Sequence, residues 1–298
     1  MLTFPPSALR PLQVTNPAID PLREKLVTSM RCMVGPEGDL TTTSQRHAHR
    51  LELEQPLLRP AELEAIKKMS YKDWETRVID CTWAVSEGVS GLARALDRIC
   101  EEASAAVDDG FDFIVLSDRA AGRERAAVSS LMATGRVHHH LVGLQKRSRA
   151  GLLVESAEAR EVHHFCLLIG YGADAVCPYL AMEAVAALQE DGLAPADVPA
   201  ADLVSRYVKA INDGVVKVMA KMGVSTIASY KGSQLFEALG LHDDVVGKCF
   251  PGTASRVGGA SFRRLAEDTL ALHAQAYAPA IATPVLADPG DFHFRSTP

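Results

Sequence analysis

Along residues 137–183 the apolar and polar positions fall into blocks that read as helix end, strand, helix, strand and the start of another helix. Leu152, Leu153 and Val154 form a short apolar run that ends at Glu155, and Ser156 with Glu158 predicts a helix opening. Val162, Phe165, Cys166 and Ile169 recur near 3.6-residue spacing, which directs one face of that helix at a core. Gly170 and Gly172 stop it, since glycine enters the left-handed cap conformation without a Cβ penalty. Residues 173–177 form the next apolar run, closed by Pro178. Strand, helix, tight turn and strand make a βαβ unit, whose crossover is right-handed in nearly all cases.

The same alternation extends both ways. Before it, the pattern predicts a strand over 77–83, an amphipathic helix over 89–109, a strand over 111–116 ending at Ser117-Asp118-Arg119, and a helix over 125–141. After it come a helix over 179–189, a loop over 192–199, a long helix over 201–222, a strand over 224–228 and a helix over 232–239. A short strand over 245–250, a turn with Gly252, Gly258 and Gly259, and a helix over 261–277 complete the body. Five or six strands, each followed by a helix, predict an α/β fold with a mostly parallel sheet. The length fits a (β/α) barrel-like body, an incomplete TIM-type barrel, better than a flat doubly wound sheet.

The first 75 residues do not share this rhythm. Residues 1–20 hold four prolines and read as an extended arm. Asp20-Pro21 supplies an N-cap and an N1 proline for a helix to residue 34, with Leu22, Leu26, Met30 and Met33 or Val34 inward. Residues 39–60 are polar and irregular, and 60–68 start a short helix. So long a stretch before the regular repeat suggests a docking surface. The expected division is therefore 1–75, an irregular N-terminal arm and docking segment; 76–278, the repeated β/α body; and 279–298, a Pro- and Gly-bearing linker.

Composition narrows the classes. Of 298 residues, 47% are apolar, 23% charged and 6% aromatic, an ordinary aliphatic α/β core. A net charge of −6 gives no electrostatic footprint for nucleic acid or an anionic membrane. No apolar run reaches the ~18 residues of a membrane span, and no basic-then-apolar leader opens the sequence, so a cytoplasmic protein is expected. Cys32, Cys81, Cys100, Cys166, Cys177 and Cys249 are scattered without a CxxC pair, which reads as reduced core thiols and not as an iron–sulfur or zinc site.

Candidate chemistry is sparse. His138, His139 and His140 are consecutive and His163-His164 follow, but sequence neighbours on a helix point about 100° apart. Neither cluster has a ligand-type partner four residues away, so hydrogen-bonded structural histidines are the preferred reading over a metal site. Ser117-Asp118-Arg119 falls at a strand C-terminus, where barrel enzymes carry their active sites. Asp118 could act as acid or base, Arg119 as an anion clamp, and Glu155 stands one unit later; the same residues could equally cap and pin helices. Glu158 would be favoured by a helix dipole without any catalytic role. The segment 252–259 and Tyr230-Lys231-Gly232-Ser233 are weak anion-site candidates that lack the GxxxxGK[ST] and GxGxxG spacings. GxSxG, HExxH and an N-terminal cysteine nucleophile are all missing.

Several long segments, in order, carry a resemblance: VTNPAIDPLREKLV (14–27), VGPEGDL (34–40), LSDR (116–119), VHHHL (137–141), VESAEAREVHHF (154–165), GYGADAVCPYLA (170–181) and KVMAKMGVSTIASYKGSQLFEALGL (217–241). Together they resemble the central domain of the large (α) subunit of glutamate synthase. In that family an amidotransferase domain uses a first-residue cysteine to free ammonia from glutamine. The ammonia crosses a tunnel to an FMN domain with an iron–sulfur cluster, where 2-oxoglutarate becomes glutamate. The central domain, a degenerate relative of the FMN barrel, lies between them.

The sequence departs from that pattern in MLTFPPSALRPL at the start and in residues 143–147 after VHHH, where the family segment typically begins with arginine. Residues 290–298 look like the start of a linker toward the FMN domain. The resemblance implies a structural and ammonia-channelling module that is not catalytic alone, with FMN and the cluster in the neighbouring domain and the amidotransferase and FMN domains as partners. Thr15 and Asn16 are tunnel-facing candidates, or merely fix a turn before Pro21. The competing expectation is a stand-alone barrel enzyme acting on a small anionic substrate through Asp118, Arg119 and Glu155.

Overall fold

The computed structural model describes residues 2–3, 21–38, 41–69, 71, 74–195 and 197–278. Its centre is a four-stranded sheet in the order Thr76–Asp80, Phe113–Ser117, Gly151–Glu155, Ala175–Cys177. All neighbours are parallel, and each strand lies beside the one before it in the chain. That is the singly wound order of a barrel segment. Every residue of the two middle strands is buried, which explains why FIVLS and GLLVE read as continuous apolar runs and not as alternating ones.

The crossovers run through the helices Val89–Asp108, Ser130–Gly143 and Val162–Gly170. The other face belongs to the N-terminal segment. Val34 and Gly35 lie so close to Gly151 that a Cβ there would sit 2.7 Å from Val34 Cγ1. Trp74 meets the Phe113 ring edge-on at 5.6 Å, and Leu63 and Ile66 of the helix Pro60–Lys67 are buried. The edge of the last strand is covered too. Leu57 forms a parallel bridge with Val176, Leu58 N donates to Val176 O at 2.9 Å and Val176 N donates to Pro56 O at 2.8 Å. Val34, Leu63, Ile66 and Trp74 therefore pack over one face of the sheet, and Leu57 and Leu58 along one edge.

The expected helix to residue 34 stops at Val27, because Cys32–Val34 pair instead with Leu51–Leu53 as an antiparallel hairpin. Leu26, expected inward, is 85% exposed, while Glu24 is buried. Leu2–Thr3 pair antiparallel with Glu237–Ala238; the rest of the expected arm, Thr15 and Asn16 among it, lies outside the described residues, as do 279–298.

The C-terminal third also differs. The expected strand over 224–228 is a short helix, Ile227–Tyr230, and the expected helix over 232–239 gives way to a strand, Glu237–Leu241. The expected strand over 245–250 is the helix Asp243–Cys249, and the Gly-bearing turn is the strand Ala254–Ala260. Apolar runs this short carry no period that separates helix from strand. Here the parallel pairing of Glu237–Leu241 with Ala254–Ala260 decides the matter. That pair forms its own sheet with Leu2–Thr3, so among the described residues four strands, not five or six, make the main sheet and no barrel closes. No described helix is long and apolar enough to cross a membrane.

Candidate functional site at the strand C-terminal ends

The register brings four residues into one row at the C-terminal edge of the sheet: Asp80 opposite Ser117, Ser117 opposite Glu155, and Glu155 opposite Cys177. Paired residues of a parallel sheet share a face, so Ser117 and Glu155 must meet. Ser117 Oγ donates to Glu155 Oε2 at 2.6 Å. Lys67 Nζ reaches the same oxygen at 2.9 Å from the last turn of the helix Pro60–Lys67. Arg119 Nε donates to Oε1 at 2.6 Å. Burial opposes charge on Glu155, but the hydrogen bonds from Ser117, Lys67 and Arg119 outweigh it and hold the carboxyl below its ordinary range. Arg119 also lies 3.9 Å above the Tyr179 ring and 3.4 Å from Glu183.

Asp118 behaves oppositely. Its carboxylate is 2% exposed; Oδ2 accepts from Ala157 N at 2.8 Å and Oδ1 has no hydrogen-bond partner. Burial raises its pKa, and burial with the adjacent Asp118 raises that of the Tyr179 hydroxyl. Asp118, Arg119 and Glu155 lie together at this edge, with Asp118 N donating to Glu155 O at 3.3 Å. Of the three, Glu155 is saturated by the protein's own donors.

Two further groups at this edge, Lys67 and Asp80, are not among the residues singled out from the sequence. Lys67 lies 88 residues from Glu155 in the chain, with no local signal. Asp80 was legible as a strand-end acid; it accepts from Thr82 N, Thr82 Oγ1 and Arg125 Nη2 at 2.9, 2.6 and 2.7 Å. Glu158 precedes its helix by several residues and instead accepts from Ser130 N at 2.7 Å, at the start of Ser130–Gly143. It lines a 350 Å³ pocket with Ser130 and Ser156, whose hydroxyls are 2.8 Å apart, and with Arg160 and His164.

Two of the candidate histidines bond the backbone. His139 Nδ1 lies 2.8 Å from Gly135 O, and His164 Nδ1 accepts from Arg160 N and Glu161 N at 3.2 and 3.3 Å. Among the described residues no three His, Cys, Asp or Glu side chains gather as a metal would require. All six cysteines are buried, unpaired thiols. Neither phosphate candidate opens a helix: residues 254–260 are strand, and Lys231 follows a helix and pairs with Asp174.

The profile of the glutamate synthase central domain matches residues 11–242. The chain belongs to that family. It is 48% identical over 287 residues to the NADH glutamate synthase of Schizosaccharomyces pombe, covering 95% of this chain and 14% of that protein. It is 39% identical over 285 residues to the NADPH glutamate synthase large chain of Bacillus subtilis, covering 95% and 18%. Against the ferredoxin-dependent glutamate synthase of Pyropia yezoensis it is 37% identical over 299 residues, covering 95% and 19%. This glutamate synthase central domain thus spans between 14% and 19% of the length of these three curated relatives. Among solved structures, a mutant flavocytochrome b2 with benzoylformate aligns with a TM-score of 0.40 at 14% identity, over 63% of this chain and 40% of that one. A mutant mandelate oxidase with (S)-mandelic acid aligns at 0.36 and 21%, over 48% and 37%.

Proposed function

We propose that this central domain is the structural and ammonia-channelling segment of a glutamate synthase, joining a glutamine amidotransferase domain to an FMN domain and not catalytic by itself. The whole enzyme would convert glutamine and 2-oxoglutarate to two glutamates, with FMN and an iron–sulfur cluster held by the neighbouring domain. Ammonia released into water is protonated and ceases to be a nucleophile, so rigid walls between the two sites preserve its reactivity. Thr15 and Asn16 are the proposed tunnel-facing groups. The observation that carries the reading is the state of Glu155. At the strand ends, where a barrel enzyme presents reactive groups to substrate, this carboxylate accepts from Ser117, Lys67 and Arg119.

The test is a chimera in which this chain replaces the matching segment of the Schizosaccharomyces pombe enzyme. Fed glutamine labelled with 15N in its amide amid unlabelled ammonium, the chimera should form glutamate whose new amino group carries the label. A folded chimera that releases labelled ammonium and incorporates the unlabelled pool overturns the channelling role.

A further inference from the structure

Where the strands begin, at the opposite end of the sheet, pockets of 400 and 180 Å³ adjoin through a shared wall of His138 and Val142. Behind them lies Asp174, which accepts from Leu152 N at 2.7 Å, from Arg147 Nη2 at 2.9 Å and from the Lys231 ammonium. Arg147 is held further by Ala150 O and Gly172 O, both at 2.8 Å, and its Nε donates to His138 Nδ1 at 3.1 Å. That last bond sets the tautomer. Nδ1 accepts, so the ring proton sits on Nε2 and His138 stands as a neutral donor. Burial, with Arg147 alongside, pushes its pKa down to about 3.

The charges around the larger pocket do not cancel. Arg147, Lys231 and Arg50 pair with Asp174 and Glu37, three cations against two carboxylates. Lys231 gives one of its three donors to Asp174, and Arg147 keeps one Nη1 hydrogen beyond its bond to Ala150. The backbone points the same way. The two described non-glycine residues with positive φ, Gln145 at 59° and Gln234 at 54°, each line one of these pockets. The left-handed region costs a side-chain-bearing residue about 1–2 kcal/mol, and Gln145 stands at the helix C-terminal position usually given to glycine. What glutamine adds there is an amide on the pocket wall. The far side of the smaller pocket is aromatic, with Tyr171 and Phe236 stacked at 5.8 Å.

We propose that the joined pockets bind a small organic monocarboxylate, its charged end on Lys231 and Arg147 and its apolar body along Val142 towards Tyr171 and Phe236. The larger pocket alone, at 400 Å³, has the size of an ordinary small-molecule site. The site lies at the opposite end of the strands from Glu155 and does not depend on the channelling role.

Benzoate, with neutral benzamide as control, tests this by calorimetric titration of the 298-residue chain. Benzoate should bind saturably and benzamide should not. Lys231→Met should weaken benzoate at least tenfold. Val142→Trp, at a position 49% exposed and so tolerant of bulk, should block it. Thermal unfolding of each unliganded variant separates a lost site from a lost fold. Absence of saturable benzoate binding to the unmodified chain, equal binding of benzamide, or binding that well-folded K231M and V142W leave unchanged overturns the proposal.

Discussion

Arg119 Nε donates to Glu155 Oε1 at 2.6 Å, and the same guanidinium rests 3.9 Å above the Tyr179 ring. The cation that a substrate anion would seek is thus committed to a carboxylate of the protein itself. Ser117 and Lys67 occupy the other oxygen, at 2.6 and 2.9 Å. Glu155 fills the place of a ligand.

Removing that carboxylate should expose the receptor. Glu155→Ala leaves Lys67, whose side chain is 14% exposed, with the half-exposed Glu64 at 2.8 Å as its remaining counter-ion. Breaking a buried pair from one side costs about 3–5 kcal/mol. Arg119, at 41% exposure, is largely solvated and adds little. Because Glu64 still pairs with Lys67, urea unfolding should show a loss below that range, about 1–2 kcal/mol, and formate or acetate should restore part of it in the variant while leaving the parent chain unchanged.

Acid should act through Asp174. Burial alone would raise its pKa, but Arg147, Lys231 and the Leu152 N–H hold it at about 2, below the usual 3.8. A depressed folded pKa stabilises the fold above the unfolded value, and that contribution is lost as pH falls from about 4 towards 2. By linkage it amounts to about 2 kcal/mol. Asp118, raised by burial, works in the other sense and loses stability as pH rises through its folded pKa. Urea midpoints between pH 5 and pH 2 should fall more steeply in the parent chain than in Asp174→Asn.

The unit around residues 137–183 was legible because its strands are buried on both faces and read as unbroken apolar runs, and its helix is buried all round over Phe165–Gly170. Gly151–Glu155 and Ala175–Cys177 lie within two residues of the expected bounds, whereas the helix expected to open at Ser156 begins at Val162. The segment over 224–260 was not, since its elements run only four to seven residues and take their identity from pairing. The strand-end trio Asp118, Arg119 and Glu155 could be read because each follows an apolar run. That Lys67 would reach Glu155 could not, because it depends on how the N-terminal segment crosses the sheet.

That crossing has an energetic consequence. Leu63, on the helix Pro60–Lys67, is 1% exposed. Leu63→Ala should cost about 2–5 kcal/mol in chemical unfolding, as for any well-packed core leucine. A loss under about 0.5 kcal/mol, typical of surface substitutions, would mean the segment is not part of the core.

Two helical glycines should respond oppositely to alanine. A Cβ at Gly135 would lie 2.4 Å from the Cys249 carbonyl oxygen, a backbone atom that cannot swing aside. Gly135→Ala should therefore lower stability by about 1–3 kcal/mol. Gly247, exposed and with nothing within 4 Å, should instead gain up to about 1 kcal/mol from the better helix propensity of alanine. Paired melting curves read both signs.

The central claim is that these β/α units supply walls and spacing while the reacting groups reside on other segments. Its most direct test is a turnover assay of the purified chain given glutamine, 2-oxoglutarate, ammonium and a flavin reductant. The account predicts no glutamate above the protein-free control. Glutamate formation that disappears in Asp118→Asn or Glu155→Gln, with both variants still folded, would contradict it.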